Sequence, residues 1–130
     1  MIVLDTHAWL WWISQPAKLG HAAREAIDSA ERVGIATISA WEIAMLVQKG
    51  RITLDRPLEP WINQALSNPR VVALALSAST AVRAGLLDRE RFPGDPADRI
   101  VYSTARAWDA HLATRDEALR SFDPRGTVWD

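Results

Sequence analysis

The chain has 130 residues, 48% of them hydrophobic, which is material for one core and one domain over 1–130 and leaves no room for a second. It has no cysteine, so neither a disulfide framework nor a thiolate metal site can form, which suits a reducing cytosol. A net charge of −1 excludes the broad basic surface of a tight nonspecific nucleic-acid binder, though not a nucleic-acid substrate. Arginine makes up 13 of the 15 basic residues, and guanidinium forks suit phosphate, but their scatter is also what a biased genome produces. No export signal or membrane span is expected. No basic segment precedes the first apolar run, Asp5 interrupts that run, and the stretch 71–82 is well short of the roughly 18 residues a span needs.

In chain order, Ile2 to Leu4 reads as a buried strand, Ala8 to Ile13 as a short helix ending near Pro16, and His21 to Arg32 as an amphipathic helix. Val33 to Thr37 reads as a second strand, and Ser39 opens a helix to about Lys49 with Gly50 as its stop. Glu59 to Leu66 is a helix broken at Asn68-Pro69, and Val71 to Leu76 reads as a third buried strand. Ser77 caps a helix to about Leu87, a polar loop covers Asp88 to Gly94, and Pro96 begins a long helix to about Trp108. His111 to Thr114 is a fourth strand, Glu117 to Phe122 a helical turn, and Val128 an edge strand. Short apolar strands separated by helices imply a parallel sheet covered on both faces, with sites beyond the carboxyl ends of the strands.

Four acids sit at comparable starts of helices, and each has a capping explanation. Asp5 is a good N-cap for the helix behind it. Ser39-Ala40-Trp41-Glu42 has the spacing of a capping box. Asp95 precedes a proline at the first helical position, with Asp98 in the first turn where the helix dipole favours negative charge. Thr114 and Glu117 could form a second box, which leaves Asp116 with no structural duty. Capping explains why acids occur near helix starts. It does not explain why strands one, two and four deliver them to one rim, with Asp98 heading the helix that leads into strand four.

Two carboxylates about 4 Å apart repel by roughly 4 kcal/mol at an effective dielectric near 20. A group of them must hold protons or a cation. All-oxygen donors select Mg²⁺ or Mn²⁺, and three histidines without cysteine weaken a zinc reading. Such an ion suits phosphate ester chemistry, because it readies a water for attack and neutralises charge on the phosphoryl group.

The opening Met1-Ile2-Val3-Leu4-Asp5-Thr6-His7-Ala8, the segment Ser39-Ala40-Trp41-Glu42-Ile43 with Lys49 behind it, Gly94-Asp95-Pro96-Ala97-Asp98-Arg99-Ile100 and Ala113-Thr114-Arg115-Asp116 resemble the four acidic motifs of PIN-domain nucleases. They most resemble the VapC-type toxins of toxin–antitoxin pairs. The likeness covers essentially the whole chain in the right order. It implies a PIN-like α/β/α sandwich with a central, mainly parallel sheet of four to five strands, Mg²⁺- or Mn²⁺-dependent endoribonuclease activity, and inhibition by a small cognate antitoxin. It also implies that Asp5, Glu42, Asp98 and Asp116 are the acidic quartet and Thr114 their hydroxyl neighbour, with Asp95 a near-site acid ranked below Asp98. Departures fall at Phe92-Pro93, where relatives often carry a histidine, and at Tyr102-Ser103, where small residues are common. The second touches packing behind the site.

The expected activity is therefore a cytoplasmic metal-dependent endoribonuclease in which Asp5, Glu42 and Asp98 hold the principal ion and Asp116 completes the site. No side chain is a convincing general base, so a water readied by the ion is the expected nucleophile. Arg99, Arg115 and Lys49 are candidate phosphate contacts. Lys49 lies seven residues beyond Glu42, about 10 Å along the helix axis.

Seven tryptophans are many for this length. Trp41 and Trp108 are expected in the core. Trp9, Trp11 and Trp12 cannot all point one way from a helix, so part of that group is expected on a partner surface, with the antitoxin and a second copy of the chain as candidates. His7, His21 and His111 read as ordinary helix or strand-edge residues. Two rivals remain: a receiver-like phosphotransfer domain, disfavoured because no strand ends in lysine, and a noncatalytic interaction module whose acids are only caps.

Overall fold

The computed structural model describes residues 1–92 and 94–130. Five strands, Ile2–Leu4 (β1), Val33–Ala36 (β2), Val71–Leu74 (β3), His111–Ala113 (β4) and Thr127–Val128 (β5), form one all-parallel sheet in the order β3-β2-β1-β4-β5. The connections carry seven helices: Thr6–Ser14 (α1), His21–Ser29 (α2), Thr37–Gln48 (α3), Leu58–Leu66 (α4), Ala78–Gly85 (α5), Pro96–Ala107 (α6) and Glu117–Phe122 (α7). This is the expected α/β/α sandwich. No helix is long and apolar enough to cross a membrane among the described residues.

Strand side chains alternate between faces, so even three residues can serve two cores. Ile2, Leu4, Val33 and Ile35 join Trp9, Ile27 and Trp61 on one side. Val3, Ala36 and Leu112 join Val101, Tyr102 and Leu119 on the other. Gly34 allows the second packing: a Cβ there would meet Leu74 at 2.7 Å and Val3 at 3.2 Å.

Several expectations are corrected. β3 ends at Leu74 and lies at the sheet edge, where only Leu74 is buried, because an edge strand is covered from fewer directions. α2 stops at Ser29 rather than Arg32, and the Arg70 guanidinium donates to the Ile27 and Ala30 carbonyls at its end. α3 begins at Thr37 directly after β2 and its N-cap is Ala36, so Ser39 lies inside the helix, fully buried, and caps nothing. Gly50 does sit just past the helix end, at φ +70°, as a stop should. Trp41 and Trp108 are not core residues; they are 54% and 56% exposed. Trp41 lies off the inner stripe of α3, which Ser39 and Ile43 fill, and Trp108 is the C-cap just past the end of α6. Trp9, by contrast, is fully buried against Trp61, whereas Trp11 and Trp12 are half-buried.

Candidate active site

The sheet order fixes where a site can form. From β1 the chain builds outward through β2 and β3 on one side and returns to place β4 and β5 on the other, so the connections leaving β1 and β4 part company and open a crevice. Asp5 follows β1, and Thr114 and Asp116 follow β4. The backbone N–H of Asp5 donates to the Ala113 carbonyl at 3.1 Å, locking the two strand ends together. Glu42 stands on α3, which follows β2, and α3 packs against α6, whose start carries Asp95 and Asp98.

Capping and convergence hold together. Asp5 accepts from the N–H of Ala8 at 2.8 Å, Asp95 from that of Asp98 at 2.9 Å, and Asp116 from that of Leu119 at 3.0 Å. Each of these cap bonds uses one carboxylate oxygen. Asp116 is thus the N-cap of α7, which corrects the expectation that Thr114 and Glu117 form a capping box; the Thr114 hydroxyl instead accepts from the N–H of Asp116. Glu42 is in no capping box either. Its carboxylate accepts from the Thr6 hydroxyl, which shares a 3.0 Å hydrogen bond with the buried Ser39 hydroxyl.

Among the described residues, one carboxylate oxygen from each of Glu42, Asp95 and Asp98 lies within 4.8 Å of the others, a spacing suited to a shared cation. The sequence ranked Asp95 below Asp98, yet the structure places it in this closest group, while Asp5 and Asp116 lie just outside. They are still near enough to matter. Asp98 is pushed up to about 7 by desolvation first, then by the charges of Asp95, Glu42, Asp116 and Asp5. Asp5 is raised as well: desolvation outweighs the Thr114 hydroxyl, the Ala8 N–H and His7, and Glu42 adds to the rise. Five neighbouring carboxyls, of which Asp98 and Asp5 hold their protons more tightly than usual, are a donor set matched to a hard divalent cation and to no soft one.

The remaining predicted residues fall differently. Thr114 is fully buried beside Asp5. Arg99 turns away from the crevice: its guanidinium donates to the carbonyls of Ala84 at 3.0 Å, Leu87 at 2.7 Å, Phe92 at 3.1 Å and Gly85 at 3.3 Å. Arg115 is exposed, with its guanidinium over the Trp11 ring. Lys49 is the exposed C-cap of α3. At the departure Phe92-Pro93, Phe92 is buried against Tyr102 and Phe122, and Pro93 lies outside the described residues. Gly94 lets the chain pass between that ring and the site, since a Cβ would meet Phe92 at 2.6 Å and the Asp98 Cβ at 3.3 Å. Tyr102 packs in the core behind the site and donates to Asp123 at 2.7 Å.

Thr6 was missed by the sequence reading. Its signal was a polar residue on the inner face of an apolar helix, seated next to Asp5, with Ser39 as a second such residue one turn before Glu42.

Residues 2–123 match the PIN domain family. The chain is 40% identical over 131 residues to Ribonuclease VapC22 of Mycobacterium tuberculosis, covering 98% of each protein. Among solved structures it is similar to VapBC2 from Rickettsia felis bound to a fragment of promoter DNA, at 19% identity, full coverage of both chains and a TM-score of 0.72. It is also similar to a toxin–antitoxin complex from Klebsiella pneumoniae, at 21% identity, covering 98% and 96% of the two chains with a TM-score of 0.68. At these identities the structural likeness speaks for the fold. The strands end at Leu4, Ala36, Leu74, Ala113 and Val128, so the strand-end lysine of a receiver domain is lacking.

Proposed function

This chain belongs to the PIN-domain family, in its VapC-type branch, and from that premise we propose that it is a divalent-cation-dependent endoribonuclease, the toxin of a toxin–antitoxin pair, working in the cytoplasm. The observation that carries the reading is the convergence of Glu42, Asp95 and Asp98 within 4.8 Å, flanked by Asp5 and Asp116. The same five carboxyls are too many for capping alone. The noncatalytic rival has no use for them.

Glu42, Asp95 and Asp98 would hold Mg²⁺ or Mn²⁺, with Asp5 and Asp116 completing the site, and the ion would supply charge neutralisation at the scissile phosphate and an acidified water for attack. The chain's own part is placement. The Thr6 hydroxyl fixes Glu42, while the Ala8 N–H and the Thr114 hydroxyl fix Asp5. The N-cap bonds of Asp95 and Asp116 fix two more carboxylates on helix starts rather than on loose loops. Asp98 retains a proton to about pH 7 while the acids face only one another, and gives it up when their charge is balanced.

A cognate antitoxin and a second copy of the chain are the partners this reading assigns. Val82 and Leu86, 60% and 79% exposed, and Trp41 are apolar surface of the kind a partner covers.

The test is incubation of the purified chain with mixed RNA in chelator, Mg²⁺ or Mn²⁺. Cleavage that requires the ion is expected. Intact RNA under every condition, from protein that binds Mn²⁺, would sink the nuclease reading.

A further inference from the structure

We propose that Trp11 seats two cations, Lys18 and Arg115, as a strip that binds the phosphate backbone of single-stranded RNA beside the acidic cluster; the inference rests on the endoribonuclease reading. The Lys18 ammonium lies 5.7 Å from the centre of the Trp11 ring and the Arg115 guanidinium 5.8 Å from it. The two arrive from unrelated elements: Lys18 ends a short 3₁₀ turn over Pro16–Lys18, and Arg115 follows β4. Each is attracted by the ring, and each repels the other. Among the described residues neither forms an ion pair. An anion between or along them would relieve that repulsion.

The strip abuts the site. Arg115 stands between Thr114, beside Asp5, and the site acid Asp116. The His7 ring is 5.6 Å from that of Trp11, and the His7 charge acts on Asp5. The Trp11 ring also lies 5.9 Å from that of Trp129. Lys18 also lines a groove along α1, whose wall carries Arg56 already paired with Asp55. A chain of net charge −1 with five acids in its site repels RNA there, so its hold on the substrate must come from a few placed cations. Unlike base contacts, phosphate contacts carry no sequence information, so this strip positions the strand without choosing it.

The test uses fluorescence anisotropy with a short single-stranded RNA in the Asp98→Asn background, so that the RNA stays whole, and cleavage in the otherwise unaltered protein with Mn²⁺. Lys18→Gln and Arg115→Gln should each weaken binding to RNAs of different sequence alike, and each should make the slope of log affinity against log salt shallower by about 0.7. Lys18→Arg should restore the slope. Trp11→Leu, which removes the seat and neither charge, should weaken binding several-fold with the slope kept. Parental slopes in both charge variants would overturn the proposal, as would variants that bind and cut RNA normally but lose antitoxin binding. If the parent protein cuts no RNA, the endoribonuclease reading fails first and the strip falls with it.

Discussion

Asp98 meets four other carboxyls, and that makes its proton the most informative atom in the site. Held on to about pH 7, it must leave when a cation enters. Below pH 7, Mn²⁺ binding should therefore release about one proton per ion, and Asp98→Asn should suppress the release along with RNA cleavage while leaving the fold intact. Calorimetry at pH 6 in two buffers of different ionisation enthalpy reads the proton directly. An unchanged release in the variant would assign it to another group. Asp95 holds two roles at once, cap of α6 and member of the closest acidic group. Asparagine caps about as well as aspartate. Asp95→Asn should melt no lower than the parent, because the cap is kept and a charge facing Asp98 is removed, yet bind Mn²⁺ much more weakly, and parental Mn²⁺ affinity would return Asp95 to a cap alone.

Between elements, the contact that matters most is Thr6 on α1 with Ser39 and Glu42 on α3. Thr6→Val keeps shape but removes the donor to Glu42. Partners of this kind typically contribute 10- to 100-fold to metal affinity, so a loss of about tenfold in Mn²⁺ affinity is expected with α3 unchanged by circular dichroism. Ser39→Ala should cost about 1 kcal/mol of stability as a lost buried hydrogen bond, and no α3 fraying should accompany it, since Ser39 is not a cap. The sequence made the alternation of strands and helices, the rim and its acids readable, because period and cap chemistry are local. It misread Ser39, because a capping box and a buried interhelical hydroxyl share one spelling and differ only in where β2 stops. Arg99 was unreadable for a similar reason: four carbonyls from Ala84 to Phe92 receive its guanidinium, and nothing local says so. It pins the loop between α5 and α6, which a lysine with its compact charge cannot do. Arg99→Lys should thus increase amide exchange over 86–92 while α1 and the sheet keep parental protection; uniform protection throughout would show that the loop holds without it.

At the scale of the whole molecule, the acid cluster opposes folding unless a cation fills it, and pH sets how strongly. The folded-state value of Asp98, about 7, lies above the unfolded value of 3.8, and Asp5 is displaced in the same direction. Well below pH 4, these groups are protonated in both states and cost little. As pH climbs from about 4 to 7 the unfolded chain sheds their protons first, so the native state loses stability across that window, with the loss complete above it. Asp55, held low by its bond to Arg56, and Asp123, also held low, titrate beneath the window and leave it unaffected. In chelator the melting temperature should then fall as pH rises from 5 to 7. In excess Mn²⁺ the fall should vanish or reverse, because ionised carboxylates bind the ion better and binding to the native state adds stability. Asp5→Asn isolates the repulsion: asparagine can still accept from the Ala8 N–H, so at pH 7 in chelator the variant should melt above the parent, and Mn²⁺ should erase the advantage. If Asp5→Asn instead melts clearly lower in chelator, the carboxylate is serving α1 more than it strains the cluster, and the balance of charges assigned to this rim is wrong.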